Sequence, residues 1–424
     1  MDIDVTAGTG VRPRSACALW FRGAGLAILV VFLAAAYWPA FRTSLHTVLR
    51  RHRRVPKPHV AWVSANADSE GVSLGALDSL RAGLAAERTQ AFLVVRGNHV
   101  VYEWYAPTSG PNKRHAMTAM AKAVTGSVAL LAVASDGRIA LDDPAWKYIP
   151  AWKDDPVRSQ IRINQLASHQ SGLDDVDFFA GDSLNGWKLT YWQHPEQRFS
   201  MAINTAPILF PPGTRVGYSG VGYYALAYAL ATSLKDAPLH DIRSELRERI
   251  MLPLGIPDDD WRLSYGQSYT ADGMTLYAIG SGATYTARAA ARIGQLILDG
   301  GRWRDRWLLD SGLVARSLRP ASGLLPPDSG GIVAPLLGAS SGWRLNLRRT
   351  WPDVPRDALA GIGADHEVIL VVPSLDLVMV RFGKALSPDP TQFEADLRDR
   401  LLDPLMHAIV GPSSRMRVLS GVIH

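Results

Sequence analysis

At 424 residues, with 47% apolar and 20% charged side chains and a formal net charge of +6, the chain can build a large core in one or two domains. A single cysteine, Cys17, excludes a fold that depends on intrachain disulfides. The positive charge is partly local, at Arg50, Arg51, Arg53, Arg54 and Lys57. No basic stripe interleaved with aromatics accompanies it, so nucleic acid is set aside as a partner and the cluster is read as facing anionic lipid headgroups.

In chain order, a basic tail (1–22) precedes an uncharged run, Gly23–Phe41, near the ~20 residues a spanning helix needs. Tyr37 and Trp38 stand at one end of it, where interfacial aromatics are expected. The run reads as an uncleaved transmembrane anchor. The competing reading is a secretory signal ending near Ala34-Ala35-Ala36. Arg12, Arg14 and Arg22 precede the run, and Arg42, Arg50, Arg51, Arg53, Arg54 and Lys57 follow it. By the positive-inside rule alone the globular part would be cytoplasmic.

A basic linker (42–68) leads into the main domain, expected over 69–410, with a tail over 411–424. Leucines at 74, 77, 80 and 84 predict a helix over 74–86. Two β-rich runs flank Gly97-Asn98, a hairpin signature. An apolar helical run from Met120 to Val133 follows. Toward the other end, His366–Val372 and Leu375–Phe382 flank Pro373-Ser374 and predict a second hairpin. A last amphipathic helix, about 390–409, presents Phe393, Leu397, Leu401, Leu402 and Leu405 on its apolar side. Strands at both ends around a mostly helical middle imply an α/β (α+β) protein whose antiparallel sheet is completed by both ends of the domain.

Several segments together carry a resemblance. Gly137–Pro144 with Tyr148-Ile-Pro150, Ile161–Leu173, Pro211–Gly220, Pro253–Ile256, Tyr285–Ala287 and Val371–Val378 occur in order. From about Gln90 to Ile409 the chain resembles the serine β-lactamase and penicillin-binding-protein-like hydrolases, close to class C β-lactamases and esterases. The resemblance implies acyl transfer on an ester, amide or β-lactam substrate, small-molecule or peptide, with no cofactor and no metal. It also implies export of the domain, against the charge count.

In that family the helix after the hairpin carries Ser-x-x-Lys, whose i, i+3 spacing sets hydroxyl and amine on one face. Here Thr118-Ala119-Met120-Ala121-Lys122 keeps Lys122 and has Ala119 at the nucleophile position. Three readings stay open: a degenerate member that binds a peptidoglycan-like peptide or protein partner without turnover; relocation of the nucleophile to Thr118 or Ser127; an inactivated form of a Ser enzyme. Tyr218-Ser219-Gly220 stands at the Tyr-x-Asn position. Tyr218 is the proton-relay candidate, and Gly220 replaces an amide that would orient the lysine or the substrate. The third element, a cation-x-Gly strand lining the oxyanion hole, has no clean match in Gly361–Glu367. His366 is the nearest candidate for a substrate carboxylate, with Gly363 in the backbone wall. His169 is read as structural. Neither a zinc pattern nor a phosphate-binding glycine loop is present in the sequence.

Overall fold

The computed structural model describes residues 62, 64–176, 186–320 and 340–416. The chain divides into two compact units, Met1–Pro58 and His59–His424, and the fold described is that of the second. Cys17 and the apolar run Gly23–Phe41 lie outside the described residues.

The hairpin at Gly97-Asn98 forms as expected. β1 (Thr89–Arg96) and β2 (His99–Tyr105) pair so that Arg96 faces His99 across a two-residue turn. Both turn residues have positive φ, +59° and +71°, the geometry for which Gly and Asn are suited. β3 (Arg344–Leu345), β4 (Leu359–Ile362), β5 (Val368–Val372) and β6 (Leu377–Gly383) supply the rest of a six-stranded antiparallel sheet of order β3-β4-β5-β6-β1-β2. The N-terminal hairpin therefore joins the C-terminal strands through β1 and β6.

The second hairpin differs from expectation at its turn. Pro373–Leu375 form a 3-10 turn and Asp376 adopts positive φ, so β6 starts at Leu377, two residues late. Ser374 donates both its N–H (2.6 Å) and its hydroxyl (2.8 Å) to the Asp357 carboxylate, which holds the turn out of the ladder. At the other edge His366 also has positive φ, and β5 begins only at Val368.

Both sheet faces are covered, so β1, β5 and β6 alternate between two cores. Leu93, Val95, Ile369, Val371, Val378 and Val380 face the helical middle region. Phe92, Val94, Val368, Leu370, Leu377 and Met379 face the terminal helices. On the latter side lie α1 (Leu74–Ala86) and the helical segments Phe393–Leu397, Arg398–Leu402 and Asp403–His407. Leu77, Leu80 and Leu84 of α1 are buried, but Leu74 is 47% exposed, because it is the first residue after the Ser73 cap. Residues 411–416 lie against the domain: Ser413 is buried, and Ser414 bonds the Glu70 carboxylate through N–H (2.8 Å) and hydroxyl (2.6 Å).

The apolar run after β2 forms α2, Thr118–Ser135, long and apolar enough to span a membrane by composition, yet 83% buried inside the domain. A helix apolar on every side is what a central position selects. It opens with a 3-10 turn (Thr118–Met120), continues as a π-helical stretch (Lys122–Ser127) and ends as regular α-helix (Val128–Ser135). π-turns often mark functional sites, and this one begins at Lys122.

Candidate active site

Four segments converge on one cleft. The first is the head of α2. The short strand His115–Ala116 pairs with Thr284–Tyr285, and Met117 N–H bonds Ala283 O at 3.0 Å, which fixes where the helix begins. Ala119 and Lys122 follow one turn apart on the cleft side. The second is the start of α3, Gly220–Leu234, capped by Ser219, whose Oγ accepts the Gly222 N–H at 2.9 Å. Turning Ser219 inward as the cap leaves Tyr218 and Gly220 on the cleft wall. The third is the loop Ser168–Val176, and the fourth the turn Gly280–Thr284.

The centre of the cleft is a lysine–phenol contact. Lys122 Nζ donates to Tyr218 Oη at 2.7 Å and to Gly280 O at 3.1 Å. It also lies 4.7 Å from the Tyr218 ring centroid and 5.4 Å from that of Tyr223. Lys122 is 5% exposed. Buried charge needs such partners, and a carbonyl plus two aromatic faces supply them. Lys122 and Tyr218, 96 positions apart in the chain, are thus joined by a direct hydrogen bond.

His169 stacks on Tyr218, ring centroids 4.8 Å apart. Its Nδ1 accepts the Ser219 N–H at 3.1 Å. Burial, and next the Lys122 charge, hold its pKa down at about 3. It is a neutral, anchored ring that braces the phenol, and its acceptor nitrogen is occupied.

Asp175 is the residue that sequence reasoning missed. Its Oδ1 accepts the Gly220 N–H at 2.9 Å and the Val221 N–H at 3.3 Å. Burial pushes its carboxyl pKa up, against the hydrogen bond from Gly220 and the Lys122 charge. A Cβ built on Gly220 would stand 3.3 Å from Asp175 Oδ1. The carboxylate therefore crowds the space where a side chain at 220 would begin. Sequence offered one weak signal, an acid two residues beyond Ser-Gly-Leu173.

Of the other expected residues, Thr118 lines the cleft, whereas His366, Gly363 and Ser127 do not. His366 is not in the cleft. It is 2% exposed, stacks on Phe393 at 3.9 Å, donates from Nε2 to Phe393 O (2.9 Å) and accepts the Leu386 N–H at Nδ1 (3.4 Å). Its left-handed backbone turns it toward the C-terminal helical segments, and burial lowers its pKa. Gly363 is a spacer behind the wall: a Cβ there would lie 2.2 Å from Thr118 Oγ1 and 2.3 Å from Glu367 Oε2. Its neighbour Ala364 lines the cleft instead. The Thr118 hydroxyl is engaged by Glu367 and Ala364. Ser127 is buried inside α2 and is not among the residues lining the cleft.

The whole cleft has a volume of about 880 Å³, large enough for a small-molecule or short peptide substrate. Its lining includes the exposed Arg262, Trp192 and Tyr265 and the buried Tyr191. Arg198 braces two of these aromatics by donating to Tyr191 O (3.0 Å) and Trp192 O (3.2 Å). Among the described residues no group of three or more His, Cys, Asp or Glu side chains is arranged to hold a metal ion.

The β-lactamase family model matches residues 77–405, which include every one of these cleft segments. The chain belongs to the β-lactamase family. Among its relatives, the 6-aminohexanoate-dimer hydrolase of Paenarthrobacter ureafaciens is 25% identical over 339 residues, 77% of this chain and 80% of that one. The D-alanyl-D-alanine-carboxypeptidase/endopeptidase AmpH of Escherichia coli (strain K12) is 28% identical over 214 residues, 46% of this chain and 53% of that one. A penicillin-binding protein homolog from Caulobacter crescentus superposes with a TM-score of 0.59 at 16% identity, covering 79% of this chain and 99% of that one, a likeness of fold. The family comprises serine hydrolases and penicillin-binding-type proteins that act on small-molecule or peptide acyl substrates.

Proposed function

We propose that this β-lactamase-family chain takes an ester-, amide- or β-lactam-type acyl group into its cleft and holds it without forming an acyl-enzyme. One observation carries the reading: the methyl of Ala119 lines the cleft beside the 2.7 Å Lys122–Tyr218 pair, at the position where the family's motif has its hydroxyl. A lysine–phenol pair can move a proton only from a nucleophile that is there. In a serine protease, removal of the nucleophile alone costs about a millionfold in turnover. Thr118 is no ready substitute, since its hydroxyl already has two partners. The ligand class is the family's own, a small acyl compound or a peptidoglycan-like peptide, with a protein partner as the larger variant. The intact Lys122–Tyr218 contact favours a second reading, in which the cleft still turns substrate over.

Labelling with a fluorescent penicillin separates the two. The chain as it stands is expected to remain unlabelled, and Ala119→Ser to label slowly but detectably. Labelling of the unaltered chain would establish the second reading.

The same proposal makes the uncharged run Gly23–Phe41 a membrane anchor, with the domain exported from the cytoplasm. Its length and flanking arginines support an anchor, and family likeness supports export. A reporter fused after residue 424 tests the orientation, and a cytoplasmic signal would reverse it.

A further inference from the structure

Thr118 occupies a place that a β-branched residue rarely takes. Its φ is +43°, a conformation costly for any side chain branched at Cβ. Two hydrogen bonds hold it there. Oγ1 donates to Glu367 Oε2 at 2.9 Å and accepts the Ala364 N–H at 2.7 Å. Glu367 is itself 3% exposed, and its Oε2 accepts the Asp365 N–H at 3.0 Å. The absence of a side chain at Gly363 leaves room for this cluster. Strain at a non-glycine residue persists only where the surroundings over-determine it. Here one backbone N–H and a buried carboxylate converge on the hydroxyl, and a second backbone N–H, that of Asp365, holds the carboxylate.

Ala364 lines the cleft with Ala119 and Lys122. It lies within Gly361–Glu367, the region where the family resemblance expects the strand that lines the oxyanion hole for a substrate's carbonyl oxygen, one residue after Gly363. During acyl transfer that oxygen gains negative charge and needs N–H donors at about 2.7–3.1 Å. An N–H already donating to Thr118 Oγ1 is not free to serve it.

We propose that Thr118 and Glu367 form a block: the Thr118 hydroxyl fills the hydrogen bond at Ala364 N–H that a substrate carbonyl would take, and Glu367 keeps it there. The cleft then carries a second obstacle to acyl transfer, separate from Ala119. This rests on the reading of the cleft as an acyl-transfer site without its nucleophile. It also gives Thr118 a role other than replacement nucleophile.

The test uses the full chain. Thr118→Gly removes the hydroxyl and suits a positive φ; Thr118→Ala serves as a second variant without added backbone freedom, and Thr118→Ser keeps the hydroxyl. In the Ala119→Ser background, acylation by a fluorescent penicillin should be about a hundredfold faster with Thr118→Gly or Thr118→Ala, the scale of one oxyanion donor, and unchanged with Thr118→Ser. A merely structural threonine would give no such split. In the chain with Ala119 retained, hydrogen exchange at the Ala364 amide should quicken at least about tenfold on Thr118→Gly, as for a backbone N–H that has lost its acceptor. Equal acylation rates for Ala119→Ser with and without the Thr118 hydroxyl would overturn the block. If no variant is acylated, the acyl-transfer reading fails. The block is then decided by Ala364 exchange alone, where acceleration supports it and an unchanged rate overturns it.

Discussion

At the scale of single residues, the cleft is governed by what each side chain leaves room for. Gly220 and Asp175 share one space, with the carboxylate 3.3 Å from where a Cβ would start. Gly220→Asn should destabilise the domain by about 1–3 kcal/mol through overpacking, and Asp175→Gly should relieve that cost in the double variant. Urea unfolding of the four-member cycle measures the coupling, and strict additivity would show that the two side chains do not compete. His169 gives a pH prediction. Its folded pKa of about 3 lies below the ordinary 6.5, so an unfolded chain binds the proton first. The stability it contributes is full above about pH 6.5 and is lost as pH falls toward 3. His169→Gln keeps a side-chain acceptor and should flatten the fall in Tm between pH 6.5 and 4. His115, also buried and held at about 4, leaves a residual slope. An unchanged slope in His169→Gln would mean that the ring titrates normally.

At the scale of elements, the strand β6 does more than close the sheet. Its buried Arg381 donates to Thr89 Oγ1 (3.0 Å), Asp365 O (3.2 Å), His366 O (2.6 Å) and Lys384 O (2.7 Å). Desolvation lowers its pKa to about 10. These bonds pin the turn that carries Ala364 at the cleft. Arg381→Met should therefore cost at least about 2 kcal/mol, since several carbonyls lose their donor, and should raise exchange at residues 363–367. Unchanged denaturant midpoints would remove Arg381 from this role. Much of the element pattern is legible in the sequence. α1 follows its leucine spacing, β1 and β2 follow Gly97-Asn98, and the closing helical segments follow the 390–409 periodicity. What escapes is set by contacts distant in sequence. The Ser374–Asp357 bonds shift the second turn, and the left-handed His366 carries that ring away from the cleft. No local pattern announces either. The cleft itself is half legible. Lys122 and Tyr218 stand in recognisable motifs, whereas Asp175 arrives on a loop, and only its distance to Gly220 reveals why it matters.

At the scale of the whole molecule, an α/β domain closed by both of its ends presents a cleft lined by Ala119, the residue we propose stands where the family's hydroxyl belongs. The proposed anchor Gly23–Phe41 is tested by fractionation: the full chain should stay with membranes through alkaline carbonate, and a chain lacking residues 1–58 should be released. Release of the full chain by carbonate would exclude a spanning helix. The central claim, a β-lactamase-family cleft that does not form an acyl-enzyme, is tested most directly by intact-mass spectrometry of the unaltered chain after prolonged exposure to a fluorophosphonate, beside Ala119→Ser. An unmodified mass is expected for the chain as it stands, and one adduct, mapped to residue 119, for the variant. A stoichiometric adduct on the unaltered chain, at Thr118 or any other cleft residue, would contradict it.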